Sequence, residues 1–144
     1  MYFIFQLYRP KIGCLVLLSL EENKPIRSYV LRSGRITAAQ KRAIEKYWPR
    51  WGLDPSSDSL NPQIMFGRNS KIILEIGFGM GESIIKSAIQ MPNVNFIGVE
   101  VHAAGIGKIL NEIANRDLKN IRIFWHDAVE IVEKCLPFES INAV

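Results

Sequence analysis

The stretch "KIILEIGFGMGESIIKSAIQ", Lys71 to Gln90, decides how the rest of the chain is read. An apolar run, Ile72–Ile76, leads into glycines at alternate positions, Gly77, Gly79 and Gly81, and a helical pattern follows from Glu82 to Gln90, stopping near Pro92. Glycine takes positive φ without a steric penalty and leaves its amide bare, so a strand ending this way offers main chain to a ligand. An acid, Glu75, stands two residues before the first glycine.

The same order repeats downstream. The run Asn95–Val99 precedes a helix predicted over Ala104–Asn115, and Ile121–Trp125 precedes one over Ala128–Cys135. Short apolar strands alternating with helices build βαβ units, hence an α/β fold with a parallel sheet covered on both faces. A further apolar run starts at Ile141 and reaches Val144, with no helix after it. The expectation is a truncated parallel sheet and a chain that is a fragment.

Open parallel sheets bind ligands at the C-terminal ends of their strands. The second strand ends at Glu100, whose carboxylate can take both hydroxyls of a ribose. The third is followed by Asp127 and Ala128; the acid can accept from an exocyclic amine and the Ala128 amide can face a purine. Asp127 is equally suited to cap the helix that begins beside it. An adenosine site results. Its glycines are spaced G-x-G-x-G, whereas a dinucleotide fingerprint needs G-x-G-x-x-G to seat a pyrophosphate on a helix N-terminus. Glu75 and Glu82 add negative charge at the turn, which disfavours a pyrophosphate and a nicotinamide-dependent oxidoreductase. A cofactor with an ammonium and a sulfonium suits it better: S-adenosylmethionine.

Upstream, Trp51 to Ser70 is rich in Pro, Ser, Asp and Asn and is expected to be a long connection with one helical turn. Before it, Thr37 and Gln40 form a capping box for a helix that Pro49 should end. Its Lys41, Arg42 and Lys46 form a basic face, and Tyr47, Trp48 and Trp51 are expected in the core. Glu21 to Arg35 is an extended basic arm. Residues 1–52 hold ten Lys and Arg against three acids, while residues 53–144 hold eight against eleven. A basic arm on a mildly acidic body points to a polyanionic partner, foremost a nucleic acid.

Residues 1–20 form an apolar extension of no assigned role, 21–70 the arm, helix and linker, and 71–144 the cofactor-binding domain. The longest uncharged run near the start, Ile12–Leu20, falls short of the roughly 20 apolar residues a membrane span requires, so no membrane is expected. The two cysteines, Cys14 and Cys135, make no ligand or redox motif, which argues for a reducing, cytoplasmic setting without disulfide or metal.

Together "RSYVLRSGRITAAQKRAIEKYWPRWGL", "ILEIGFGMGES", "FIGVEVHAAGIGKIL" and "IRIFWHDAVEIV" resemble bacterial tRNA (guanine-N7)-methyltransferases from about Ile26 onward. The resemblance implies a Rossmann-like methyltransferase fold and methyl transfer from S-adenosylmethionine to N7 of a guanosine in the tRNA variable loop. By matching motif, Glu75, Gly77, Gly79, Gly81, Glu100, Asp127 and Ala128 are cofactor-binding, and Arg27, Arg32 and Arg35 belong to the arm associated with tRNA. In the family the strand beginning at "SINAV" continues into a Pro-Asp-Pro-Trp-type motif with the catalytic aspartate. No catalytic residue is therefore expected within the chain, which would be inactive by itself and monomeric. The alternative is a non-catalytic module that binds S-adenosylmethionine, tRNA or both.

Overall fold

A computed structural model describes residues 35–55, 61–137 and 139–144. In chain order the elements are α1 (Ala38–Trp51), β1 (Gly52–Leu53), α2 (Pro62–Phe66), β2 (Ile72–Ile76), α3 (Glu82–Gln90), β3 (Asn95–Glu100), α4 (Ala103–Asn115), β4 (Ile121–Trp125) and α5 (Ala128–Lys134). The strands form one parallel sheet in the order β1-β4-β3-β2. The expected strands and helices from Lys71 to Lys134 are present, with ends differing by at most a residue.

Alternation along the strands divides the core. Phe96 of β3 and Ile121 and Ile123 of β4 face α1, α3 and α4, packing with Trp51, Ile84, Ile106, Ile109 and Ile113. Ile72 and Leu74 of β2, Ile97 and Val99 of β3 and Phe124 of β4 face the other way, against Met65 of α2 and Ile131 of α5. Strand β3 is buried along its whole length, with apolar side chains on both faces from Phe96 to Val99 and polar ones, Asn95 and Glu100, at its two ends.

The last residues lie on the far side of β2 from β3. Leu74 N–H donates to Ala143 O at 2.9 Å and Asn142 N–H to Ile72 O at 2.9 Å, and Ile73 bridges Ala143 in parallel sense. Residues 141–144, expected as a strand, therefore make a single bridge; the Asn142 side chain takes the Ile72 amide at 2.8 Å and interrupts regular pairing. From β2 the chain winds to β3 and β4 and then returns to the opposite side of β2. The order reverses at β2, and open α/β sheets bind ligands outside the C-terminal strand ends at such a switch point.

Helix α1 departs from expectation at its end. It has the capping box, with Gln40 N–H donating to Thr37 Oγ1 and Thr37 N–H to Gln40 Oε1, but it runs through Pro49 to Trp51. Proline removes one helical hydrogen bond, a penalty of about 3 kcal/mol in a helix interior. Packing overrides it here. Trp51 is 3% exposed and donates through Nε1 to Leu118 O at 2.9 Å, while Arg50 lies over the Trp51 ring and pairs with Asp117. Trp51 is core as expected, with Tyr47 and Trp48 partly buried against the same cluster.

Candidate functional site

The turn after β2 is built by alternating roles. Gly77, Gly79 and Gly81 all have positive φ, while Phe78 points inward and is buried against Gly98 of β3. Met80 points outward and is half exposed. A Cβ placed on Gly77 or Gly79 would meet nothing within 4 Å, so both glycines border open space. Gly81 opens α3 and lies against the Ile109 side chain of α4.

Glu100, at the end of β3, faces this turn and is 5% exposed. Its Oε2 accepts from Gly79 N–H at 2.8 Å. Its Oε1 accepts from Val101 N–H at 2.7 Å, His102 N–H at 3.0 Å and His102 Nδ1 at 2.7 Å. Burial pushes this carboxyl up, but the bonds from His102, Gly79 and Val101 together hold it below the ordinary glutamate value. Glu75 shares its sheet face, in register with Gly98, and is half-buried. Burial pushes its carboxyl up, only partly offset by a hydrogen bond from Ser83.

Asp127 caps α5, accepting from Val129 N–H at 2.8 Å, and Ala128 is the first residue of that helix. The capping role foreseen for Asp127 is therefore present. Neighbouring His126 has a buried Nδ1 with no hydrogen-bond partner among the described residues. The residues predicted at the ends of three strands thus lie at or just after the C-terminal ends of the adjacent strands β2, β3 and β4. Glu82 does not join them, since it is exposed and pairs with Lys108 at 3.3 Å. Arg35 is exposed just before α1, and Arg27 and Arg32 lie outside the described residues. Among the described residues no helix is long and apolar enough to cross a membrane.

A family model described as "Putative methyltransferase" matches residues 69–144. The chain belongs to this family. Curated relatives are more specific in name. The tRNA (guanine-N(7)-)-methyltransferase of Methylococcus capsulatus is 50% identical over 121 residues, covering 84% of this chain and 52% of that protein. The enzyme of the same name from Chromohalobacter salexigens is 46% identical over 119 residues, covering 83% of this chain and 48% of that protein. The chain spans about half the length of these curated relatives. A solved structure titled "Structure of an antibiotic related Methyltransferase" is 25% identical and covers 60% of this chain and 42% of its own, with a TM-score of 0.46.

The residues of this family member leave room for a polar methyl donor. Bare glycines border open space, carboxylates suited to hydroxyls and amines stand at two strand ends, and a polar atom of His126 is unsatisfied beside the third. Two features went unforeseen. His102 takes no role from its sequence context alone, and its place two residues after Glu100 is the available signal. Gly105 and Gly107, inside α4, are where that helix meets Gly79 and Gln40, and glycines within a helical pattern are the mark of such close approaches.

Gly79→Ala is expected to separate binding from folding. At φ 58° a side chain costs about 1–2 kcal/mol, yet the new methyl meets no protein atom within 4 Å. Stability should fall slightly, while ligand affinity falls much further because the methyl enters that open space. Thermal melts and calorimetric titration of one preparation compare the two effects.

The carboxylates also give opposite pH signatures. For Glu100 the folded value lies below the ordinary glutamate value, so its stabilisation is present above that ordinary value and is lost as pH falls through the folded one. The stability advantage of the parent over Glu100→Gln should therefore be full near neutrality and shrink in acid. Glu75 is raised, so ionising it costs stability at neutral pH and acid relieves that cost. Glu75→Gln should stabilise the ligand-free protein near neutrality; denaturant titrations across the acid range read both.

Proposed function

We propose that the chain binds S-adenosylmethionine and serves an enzyme that methylates N7 of a guanosine in the variable loop of tRNA. The observation that carries this reading is the Glu100–Gly79 hydrogen bond, which ties a strand-end acid to the glycine turn after β2. The names of the curated relatives support the substrate.

In this reading Glu100 accepts from a ribose hydroxyl, the glycine turn leaves room for the amino acid moiety, and Glu75 lends negative charge to it. Asp127 and the Ala128 amide hold the adenine edge. The bound donor supplies an electrophilic methyl group on a sulfonium. Guanine N7 has an in-plane lone pair and no proton, so the protein's task is alignment rather than proton removal. N7 faces the RNA major groove, which is too deep and narrow for side chains, so the target must be a base held open in a folded tRNA.

Arg27, Arg32 and Arg35 meet tRNA phosphates, and the exposed Lys41, Arg42 and Lys46 of α1 extend that surface. Each phosphate contact contributes about 0.7–0.9 to the slope of log affinity against log salt. Replacing the three arginines with alanine should lower that slope by roughly 2–3, as read by filter binding. An unchanged slope removes the arm from the tRNA surface.

Two measurements test the function. Calorimetry should detect binding of S-adenosylmethionine and none of NAD; the reverse result defeats the proposal. A chimera carrying residues 35–144 in place of the matching segment of the Methylococcus capsulatus relative should still form 7-methylguanosine in tRNA.

A further inference from the structure

Four hydrogen bonds fix the Glu100 carboxylate, and three come from backbone amides. The fourth is the one that depends on a choice of side chain. His102 Nδ1 lies 2.7 Å from Oε1 and its ring is part exposed. Neither capping nor core packing accounts for a histidine here. It occupies the N-cap position of α4, yet its side chain makes no cap hydrogen bond, and histidine is not among the preferred caps. Instead it turns back onto the preceding strand end.

The chemistry of the contact is directional. Glu100 is held as a carboxylate, which only accepts, so the His102 Nδ1 that lies against Oε1 must carry the hydrogen. The two carboxylate oxygens are then unequal. Oε1 already has three donors, more than its in-plane lone pairs, while Oε2 has Gly79 N–H and room for another. We propose that His102 is a positioning residue that adds a third donor to Oε1 and fixes the Glu100 rotamer, so that Oε2 is the oxygen presented to the cofactor's sugar beside Gly79. This rests on Glu100 being the sugar-binding acid.

The test separates orientation from general support of the fold. Parent, His102→Ala and His102→Asn are titrated with S-adenosylhomocysteine and with its 2′,3′-dideoxy form, which lacks the sugar hydroxyls. Asparagine can place a side-chain N–H near the site of Nδ1. Losing a hydrogen bond to a charged group is worth about tenfold in affinity. His102→Ala is therefore expected to weaken S-adenosylhomocysteine about tenfold, with His102→Asn recovering most of the loss, and to leave the dideoxy form unchanged. The proposal is overturned if His102→Ala binds like the parent, if asparagine recovers nothing, or if both ligands weaken equally. A parent that binds neither ligand instead defeats the donor-site reading on which the proposal rests.

Discussion

Gly105→Ala should lower the melting temperature and remove most donor affinity, although alanine normally stabilises a helix interior by about 1 kcal/mol over glycine. The sign reverses because of what faces this position. A Cβ on Gly105 would collide with the carbonyl oxygen of Gly79, with the Glu100 side chain next to it at 3.4 Å. A backbone atom cannot swing aside as a long side chain can, so either α4 or the glycine turn must move. Forcing a methyl into a filled site costs about 1–3 kcal/mol. Displacement of the turn would also break the Gly79–Glu100 hydrogen bond. Gly107→Ala is the control: its Cβ would meet Gln40 of α1, with the nearest backbone atom, the oxygen, at 2.7 Å. That variant should lose stability and keep its affinity. Thermal melts with calorimetry distinguish the pair, and a Gly105→Ala protein as stable and as tight-binding as the parent would disprove the close approach.

Glu100→Gln should weaken S-adenosylmethionine by about two orders of magnitude and destabilise the ligand-free protein by about 2–3 kcal/mol. Glutamine keeps the size of the side chain but replaces one acceptor by a donor. Three donors converge on Oε1, so the amide oxygen stays there and the new NH₂ faces Gly79 N–H across the former 2.8 Å contact. Two donors then oppose each other at the base of the turn. The ribose meanwhile loses the charged acceptor it would use. Titration and chemical denaturation read the two losses separately; undiminished affinity would take the ribose role from Glu100.

Most of the sheet was legible because β2, β3 and β4 are short, apolar and separated by helices of ordinary length. What escaped was set by tertiary contacts. Pro49 looked like a terminator because local rules know nothing of Trp51, whose burial holds the last turn of α1 in place. The pairing of Gly52 and Leu53 with β4 is too brief to leave a periodic signal. At the site, the positions of Glu75, Glu100 and Asp127 followed from strand ends. The hydrogen bonding of Glu100 did not, because it depends on where three amides and an imidazole point. Cys135 is buried in the second cluster.

Helix α4 is bare at two places two residues apart, and those places touch different neighbours. Rotated by about 200° from one another, they let the helix act as a thin shim between the basic helix and the loop that would hold the donor. The thickness of that shim is set by two missing methyl groups. Drift at Gln40 or Gly79 cannot then be absorbed locally, and a load applied to α1 would be felt across a single helix by the glycine turn behind it.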